Sequence, residues 1–377
     1  MTSLSVMAWL RRGILAFLGV KLANLVVNLV RFPVLRSAAR DDAAPDDAAR
    51  ISLLVPVRDE AARLPGSLSG LLSQGVAEVL FLDDGSSDDT VAVLEGGIDQ
   101  QPDINPAATT ARVLPGAPTP AGWAGKTWAM QQLGAAATGD VLVFCDADVH
   151  LAPGAIDAVR AEMRRQQVDV FSIFPRQLTA SLGEHLLVPL IDDVLLCFLP
   201  FPLLAAPVPA AATANGSLIA FERRAFADLD GFAAVRAAFV EDVAIARHTR
   251  SRGYRLGLAL GGDLVQTRMY DNWPALVTGF ARGLRPVVGG SRVAVIVGWL
   301  GHLTVYTLPI VALATTRRGR WWLPTVVAIL ERLLVEAKTG RRRWTQAGLT
   351  PLSPLAATPV VWRSLRRDQV WKGRTYR

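Results

Sequence analysis

The chain has 377 residues, 51% of them hydrophobic, with a mean hydropathy of +0.30. That length can hold two domains with a sizeable core, and the hydropathy is higher than in most soluble enzymes, which favours membrane association. The formal charge is +7, but the arginines concentrate beside apolar segments near the chain ends, which points to anionic lipid headgroups and away from nucleic acid. Cys145 and Cys197 lie in apolar runs, so we predict two core residues and exclude a disulfide framework or a zinc site.

The first apolar segment, Ile14 to Val30, is about long enough to span a bilayer. Four polar residues recur every three or four positions along this segment and its end: Lys21, Asn24, Asn28 and Arg31. This spacing puts them on one helical face, which favours a helix that lies in the membrane interface or packs against another helix. Because Lys21 interrupts the apolar run and no A-x-A site follows closely, we predict an uncleaved anchor over residues 1–36. Residues 37–50, rich in Ala, Asp and Arg, are predicted to be a linker.

Strands and helices alternate from residue 51 onward. Apolar runs bounded by turn residues predict four strands, which are Ile51–Val57, Val79–Leu82, Arg112–Leu114 and Val141–Cys145. Between them we predict helices from Glu60 to Leu72, from a Ser86-Ser87-Asp88 cap through Leu94, and from about Lys126 to Ala137. This order predicts an α/β fold with a mostly parallel sheet and right-handed crossovers, with a first subdomain over residues 51–150.

The pattern loosens after residue 150. Val168 to Ile173 is a candidate strand, and the stretch from Leu186 to Pro209 is apolar and proline-rich but contains Asp192 and Asp193. Adjacent aspartates make a bilayer span costly, so we predict an interfacial or pocket-lining element. The two aspartates are either ligand-site residues or part of a solvated turn. Residues 151–290 are predicted to form a second subdomain.

Two apolar segments near the C-terminus predict membrane helices over residues 291–338. Val293 to Ala314 has membrane length. Trp321 to Val335 is shorter and interrupted, so we expect a re-entrant or interfacial helix; the interrupting residues are Pro324, Glu331 and Arg332. Residues 339–377 are predicted to be a basic membrane-surface tail, because Trp residues stand there among arginines.

The ends of the predicted strands carry acidic residues. Asp146-Ala147-Asp148 directly follows a strand, at the edge where open α/β sheets bind ligands. Two carboxylates one residue apart can turn toward a single hard cation, which often brings phosphates with it. Asp83-Asp84 and Glu241-Asp242 lie at similar places, although each alone would also suit a helix cap or an acidic first turn. Such a gathering of acids requires a cation or a basic ligand, so we predict a ligand site.

In this order the motifs resemble family 2 inverting glycosyltransferases of the GT-A fold, over about residues 50–290. The motifs are P-V-R-D-E from Pro56, D-D-G-S-S-D-D-T from Asp83, G-K-T-W-A-M from Gly125, C-D-A-D-V from Cys145 and V-E-D-V from Val240. Weaker patterns are similar to a membrane-attached branch associated with carotenoid and hopanoid biosynthesis, of the diaponeurosporenoate type. These are Ala214–Ile219, Asp230–Phe232, Arg268–Tyr270 and Trp371–Tyr376.

The resemblance implies that residues 51–150 form a nucleotide-sugar-binding subdomain and residues 151–290 an acceptor-binding and catalytic subdomain. It also implies how the nucleotide-diphospho-sugar donor, UDP- or GDP-linked, is bound. Pro56, Val57 and Glu60 would lie beside the nucleobase. Asp84 would contact the base or the ribose, and Lys126 would orient the donor near its diphosphate. Processive relatives carry a Q/R-x-x-R-W signature, but here the arginine, Arg268, stands one position early and tyrosine replaces tryptophan. Arg268 would still meet the diphosphate, while processive synthesis is not implied.

The resemblance also implies the chemistry. Asp146 and Asp148 would hold Mg²⁺ or Mn²⁺ on the diphosphate. Asp242 would be the general base that deprotonates the acceptor, with Glu241 beside it shaping the acceptor site. A membrane-attached enzyme of this kind would transfer sugar to a lipid-soluble, isoprenoid- or carotenoid-like acceptor at the cytoplasmic face of the plasma membrane.

Two other functions stay open from the sequence. A polyprenyl-phosphate acceptor would suit the same fold, but a phosphate arrives ionised and needs no base, so Asp242 favours a hydroxyl or carboxylate acceptor. A catalytically silent membrane scaffold would be free to lose its acidic groups, and here they are all present. The Gly125-Lys126-Thr127 sequence is not a P-loop, because Pro120 occupies the position of the required earlier glycine. His150 is either a third metal ligand or a partly exposed loop residue.

Overall fold

The computed structural model describes residues 3–37, 50–100, 109–238, 240–316, 320–341, 343–366, 369–371 and 374–376. Nearly all of the predicted linker over residues 37–50 lies outside these ranges. The chain divides into two compact units. The sheet unit comprises Phe32–Arg176 and Pro202–Thr267, and the helical unit comprises Met1–Arg31, Gln177–Phe201 and Arg268–Arg377.

The sheet unit is built on a seven-stranded sheet. Its strands are β1 (Ile51–Val57), β2 (Glu78–Asp83), β3 (Thr110–Pro115), β4 (Val141–Cys145), β6 (Val170–Phe174), β8 (Leu218–Glu222) and β9 (Leu256–Leu260), in the order β3-β2-β1-β4-β8-β6-β9. β8 runs antiparallel to β4 and β6, and the other described pairings are parallel. The predicted α/β fold with a mostly parallel sheet is therefore confirmed. Two short strands, β5 (Val149–Leu151) and β10 (Val265–Thr267), pair antiparallel, and β7 is Arg176–Gln177.

Among the described residues of this unit, six helices pack around the sheet, and their positions explain why its strands are so apolar. They are α2 (Leu64–Leu72), α3 (Thr90–Asp99), α4 (Gly125–Ala136), α5 (Ala155–Gln166), α9 (Arg223–Asp228) and α10 (Glu241–Ser251). Every residue of β4 is buried, and α2 and α5 contribute to the same core as β1 and β4. Strands covered on both faces read as continuous apolar runs, which is the pattern that located them in the sequence.

The strand register brings the predicted site segments to one edge. β1 lies between β2 and β4, with Val57 opposite Asp83 and Leu54 opposite Phe144. Because these three strands are parallel, their carboxyl ends meet at the same edge of the sheet. The segments that follow β1, β2 and β4 are therefore neighbours.

The helical unit consists almost wholly of helices. They are α1 (Ser3–Arg31), α6 (Leu182–Leu187), α7 (Pro189–Phe198), α11 (Trp273–Val287), α12 (Arg292–His302), α13 (Leu308–Thr316), α14 (Trp322–Thr339), α15 (Ser353–Ala356) and α16 (Thr358–Ser364), while α8 (Phe201–Ala205) spans the unit boundary. A π-helical turn, Leu303–Thr307, joins α12 to α13. Strands β11 (Gln369–Trp371) and β12 (Arg374–Tyr376) form an antiparallel pair. Among the described residues, Val6–Arg31 and Arg292–Thr315 are long and apolar enough to cross a membrane.

The polar face predicted on the first helix packs against α7. Lys21 is 2% exposed and donates hydrogen bonds to both carboxylate oxygens of Asp193, at 3.1 and 3.0 Å, and to the Tyr306 hydroxyl. Its ammonium also lies 3.4 Å from the Glu331 carboxylate. Asn28 donates to the Leu196 carbonyl at 2.8 Å. Of the two placements predicted for this face, the helix-packed one is the one observed.

The residues expected to interrupt the segment at residues 321–335 do not break it, because α14 is one continuous helix. Its re-entrant or interfacial placement stays a prediction. Pro324 lies in its first turn, where a missing N–H breaks no helical hydrogen bond. Glu331 meets Lys21, and Arg332 pairs with Glu336 at 2.9 Å. Buried partners thus compensate the charges that suggested a break.

The structure also corrects the predicted start of the helix after β1 and decides one of the alternatives for Asp192. The helix expected from Glu60 begins at Leu64, because the Glu60 carbonyl accepts the N–H groups of Arg63 and Leu64 in a preceding turn. Asp192 is buried and paired with Arg341. A solvated turn is therefore excluded for the aspartate pair at the start of α7.

Candidate active site

The segments after β1 and β2 hold each other through backbone and side-chain hydrogen bonds. The Asp84 N–H donates to the Val57 carbonyl at 2.9 Å. Arg58 donates to the Asp84 carbonyl at 2.9 Å and lies 3.5 Å from its carboxylate. Pro56 and Val57, which end β1, therefore lie beside Asp84, as the predicted nucleobase site requires.

Asp59 has a strained backbone at this edge. Its φ is +49°, which is uncommon for a residue other than glycine. Its N–H donates to Ser86 Oγ at 3.0 Å, and its carboxylate accepts the Ser87 N–H at 2.7 Å. The next residue, Glu60, donates its N–H to Thr90 Oγ1 at 2.8 Å. Strain that is held by surrounding hydrogen bonds is typical of functional loops.

Arg58 and Asp59 are not among the site residues predicted from the sequence. Both directly follow a buried strand at the carboxyl edge of the sheet. That position is the signal that would have found them.

Lys126 links the segment after β4 to the start of α10. It stands in the first turn of α4, and its ammonium lies 2.8 Å from Asp146 Oδ1 and 3.2 Å from Glu241 Oε1. Burial acts to lower its pKa, but the attraction of Asp146 and Glu241 outweighs it and raises the pKa above the usual value. The lysine is therefore a fixed positive charge between two predicted site carboxylates.

Asp148 stands close to other negative groups. Its pKa is raised to about 6 by burial and then by repulsion from Asp146 and Glu60. The loop is fixed on both sides, because the Ala147 carbonyl accepts from Ser67 Oγ at 2.5 Å and the Asp148 carbonyl accepts from Thr267 Oγ1 at 3.3 Å. A cation between the two aspartates would relieve this repulsion.

The donor set of this pair suits a hard divalent cation. Among the described residues, no three or more His, Cys, Asp or Glu side chains gather at a metal site. His150 Nδ1 lies 2.8 Å from the Gly66 carbonyl, so that nitrogen already has a partner. Mg²⁺ in particular is usually bound by one or two carboxylates plus substrate phosphates and water, and Asp146 with Asp148 fits that pattern.

Asp242 is held by two backbone donors at the start of α10. Its Oδ2 accepts the Gly216 N–H at 2.9 Å, and its Oδ1 accepts the Val243 N–H at 2.7 Å. Burial and then the charge of Glu241 raise its pKa to about 6, although these hydrogen bonds and Lys126 oppose the shift. A carboxylate with this pKa is mostly ionised at pH 7 and still accepts a proton readily, which suits a general base.

Arg268 belongs to the helical unit, where Glu184 holds it. The guanidinium donates to both carboxylate oxygens, at 3.2 and 3.1 Å. Glu184 is 1% exposed. Burial would raise the pKa of the Glu184 carboxyl, but hydrogen bonds from Arg268 and Ser181 lower this pKa to about 2. Arg268 therefore has a firm partner, and its role toward the donor stays a prediction.

Comparison with known families identifies the class of protein. Residues 52–178 match the model of Glycosyl transferase family 2. The matched segment contains the site segments after β1, β2 and β4, together with Lys126. The chain is a glycosyltransferase, and the match and the sheet order define its fold as the α/β GT-A fold.

Solved structures of low sequence identity share the fold only weakly. The mannosyltransferase PcManGT from Pyrobaculum calidifontis, in complex with GDP-Man and Mn²⁺, is 17% identical with a TM-score of 0.48, over 92% of this chain and 98% of that one. Glucosyl-3-phosphoglycerate synthase from Mycobacterium tuberculosis is 19% identical with a TM-score of 0.42, over 67% and 86%. S. aureus TarS 1-349 with UDP is 13% identical with a TM-score of 0.39, over 86% and 95%. No curated protein matches the sequence significantly.

Proposed function

We propose that this chain is a membrane-attached inverting glycosyltransferase that transfers a sugar from a nucleotide-diphospho-sugar to a lipid-soluble acceptor. The observation that carries the proposal is the cluster of Lys126, Asp146, Glu241 and Asp242. In this cluster a half-buried candidate base and a candidate diphosphate site share one lysine. Inversion at a sugar carbon needs a base on one side and a stabilised leaving group on the other.

The leaving group is a nucleoside diphosphate. Asp146 and Asp148 would hold Mg²⁺ or Mn²⁺, which when bound neutralises the negative charge that develops on the diphosphate. Lys126 would exchange one of its carboxylate partners for a diphosphate oxygen. Arg268 would add a second positive charge there, as the resemblance to this family implies.

Asp242 would take the proton of the acceptor hydroxyl. Its two backbone donors leave the carboxylate in one orientation, so the proton has a defined destination. Glu241, anchored to Lys126, would shape the acceptor site beside it. On the donor side, Pro56 and Glu60 would flank the base.

The proposed lipid-soluble acceptor and membrane location of the enzyme are supported by the apolar helices. Large apolar side chains are exposed on both candidate spans, among them Trp9 at 62%, Val20 at 72% and Val297 at 61%. Exposed apolar surface on this scale favours contact with lipid. This supports membrane attachment and therefore a lipid-soluble acceptor. An isoprenoid- or carotenoid-like acceptor and a site at the cytoplasmic face of the plasma membrane are proposed from the family resemblance.

The experiment is a transfer assay in membranes that contain the full chain. A panel of labelled UDP- and GDP-sugars is supplied with Mn²⁺ and a total lipid extract, and labelled glycolipid is measured. Asp242→Asn should lower transfer by about 10²-fold or more, while donor binding persists. The matched control is Asp228→Asn, an exposed carboxylate that accepts a hydrogen bond from Tyr254.

Two results would contradict the proposal. Unchanged transfer by the Asp242 variant would remove that residue from the role of base. Transfer undiminished by a chelator would count against the cation at Asp146 and Asp148.

A further inference from the structure

The C-terminal part of the helical unit is almost free of acidic residues. Between residues 272 and 367 the sequence has fourteen lysines and arginines but only two acidic residues, Glu331 and Glu336. Each of these glutamates is 1% exposed. The exposed charges of the described part of this segment are therefore all positive.

One of these positive charges lies beside a tryptophan on the outer side of α16. The inner side of this helix is apolar, because Val360 belongs to a buried cluster with Leu276 and Val277 of α11. The outer side carries Trp362, which is 69% exposed, and Arg363, which is also exposed. The helix therefore presents a tryptophan and an arginine to its surroundings.

Arg285 connects this helix to the start of α12. Its guanidinium donates to the Arg366 carbonyl at 3.3 Å and to the Gly290 carbonyl at 3.4 Å. Gly290 lies in the turn between α11 and α12, where two successive glycines, Gly289 and Gly290, have positive φ angles. The exposed Arg292, with which α12 begins, is thus held near the end of α16.

Apolar side chains flank this turn. Val287, at the end of α11, is 72% exposed, and Val293, at the start of α12, is 70% exposed. We define the basic–aromatic face as these two valines together with four residues whose side chains are cationic or aromatic. The four residues are Arg292, Trp362, Arg363 and Arg366.

We propose that the basic–aromatic face binds the headgroups of anionic phospholipids. Arginine forms paired hydrogen bonds with phosphate, and tryptophan is enriched at the headgroup level of membranes. The face stands where the candidate span Arg292–Thr315 begins, which is where headgroups would meet a helix that enters a bilayer. This inference rests on the proposed membrane attachment and assigns the binding of anionic headgroups to particular residues.

Charge and exposed apolar surface together favour this partner. A nucleic acid would satisfy the arginines but would leave Val287 and Val293 in water. A zwitterionic bilayer would cover the valines but would offer no net negative charge to the arginines. An anionic bilayer surface would cover the valines and also attract the arginines. Each basic residue near such a surface increases the affinity for the membrane about fivefold.

The test measures which lipids stay with the full chain. The protein is reconstituted into vesicles of 95% phosphatidylcholine and 5% phosphatidylglycerol, extracted with a lipid-retaining polymer, and the two lipids are quantified. The wild-type chain should retain phosphatidylglycerol enriched about fivefold over the bulk vesicle. The triple variant Arg292→Gln, Arg363→Gln and Arg366→Gln should reduce this enrichment to near one.

The control removes the same number of positive charges elsewhere. Arg224→Gln, Arg252→Gln and Arg255→Gln change exposed arginines of the sheet unit, and enrichment should persist. Because the headgroup contact is electrostatic, 0.5 M NaCl should weaken it in the wild-type chain. Equal thermal midpoints for the three proteins would establish that all are folded.

The outcomes distinguish a failure of the lipid assignment from a failure of the proposed membrane attachment. Enrichment that survives in the triple variant would overturn the assignment of the face. Binding of a 20-nucleotide RNA, lost in the triple variant and without lipid enrichment, would overturn it in favour of nucleic acid. A chain that does not enter vesicles at all would instead refute the proposed membrane attachment, and transfer activity is measured separately.

Discussion

Replacing Asp242 with asparagine should stabilise the folded protein at neutral pH while it removes transfer. Folding raises the pKa of this carboxyl from 3.8 to about 6, so the ionised form is held at a cost. A shift of about two units corresponds to about 3 kcal/mol. Asparagine has one acceptor oxygen for the two N–H groups of Gly216 and Val243, and the lost hydrogen bond costs about 1 kcal/mol. The net gain in unfolding free energy at pH 8 should be about 2 kcal/mol.

The pH dependence gives the sharper test. A raised carboxyl pKa means that the native state binds the proton more tightly than the unfolded chain does. The wild-type protein therefore gains stability as pH falls through 6 toward 3.8, whereas the asparagine variant gains none at this position. From pH 8 to pH 4.5 the advantage of the variant should shrink by about 2 kcal/mol.

Denaturant unfolding of both proteins, in the same detergent and at matched pH values, measures this difference. Other titrating groups are common to both proteins and cancel in the comparison. A stability difference that stays constant from pH 4.5 to pH 8 would refute the reasoning. Transfer by the wild-type enzyme should fall about tenfold per pH unit below pH 6, as the proposed base becomes protonated.

Three other predictions address the remaining charged contacts. Lys126→Met should tighten Mn²⁺ binding by about tenfold, since the ammonium competes for Asp146; calorimetry measures this, and unchanged affinity would argue that the cation binds elsewhere. Lys21→Met should lower the unfolding free energy by about 3–5 kcal/mol, because two carboxylates lose their buried partner; a thermal midpoint equal to that of the wild type would contradict this. Arg268→Gln should cost about 1–2 kcal/mol at pH 7, allowing for its partial exposure, and the loss should vanish as pH falls from 4.5 toward 2, where Glu184 becomes protonated.

The strands were the most predictable part of the fold. β1 and β4 were predicted with their observed bounds, because buried parallel strands leave a continuous apolar run between polar turns. The helix after β1 was less predictable. Its start depends on a turn in which the Glu60 carbonyl accepts two N–H groups, and such a turn leaves no pattern of apolar residues.

The helical unit exposes a different limit of sequence reasoning. Glu331 and Arg332 look like a break in an apolar segment because their partners are distant in the chain. Lys21 and Glu336 supply the opposite charges in the folded protein. A local window contains at most one of those partners, so the continuity of α14 could not be read from it.

The candidate site was predictable in its residues but not in its connections. Asp146 and Asp242 could be singled out because each follows an apolar strand or opens a helix. The lysine that lies within 3.2 Å of both Asp146 and Glu241 comes from a third segment. Sequence alone gives no reason to choose these three partners over the other charged residues at the same edge of the sheet.

The buried contacts of Lys21 set an order of events during synthesis. The lysine is made early in translation, but Asp193 follows 172 residues later and Tyr306 follows 285 residues later. Until those residues emerge, the Lys21 ammonium lacks the partners that hold it in the folded protein. The first helix therefore completes its packing only after nearly the whole chain has been made. A protease that removed this helix from the folded protein would leave the carboxylates of Asp193 and Glu331 without the lysine that pairs with them.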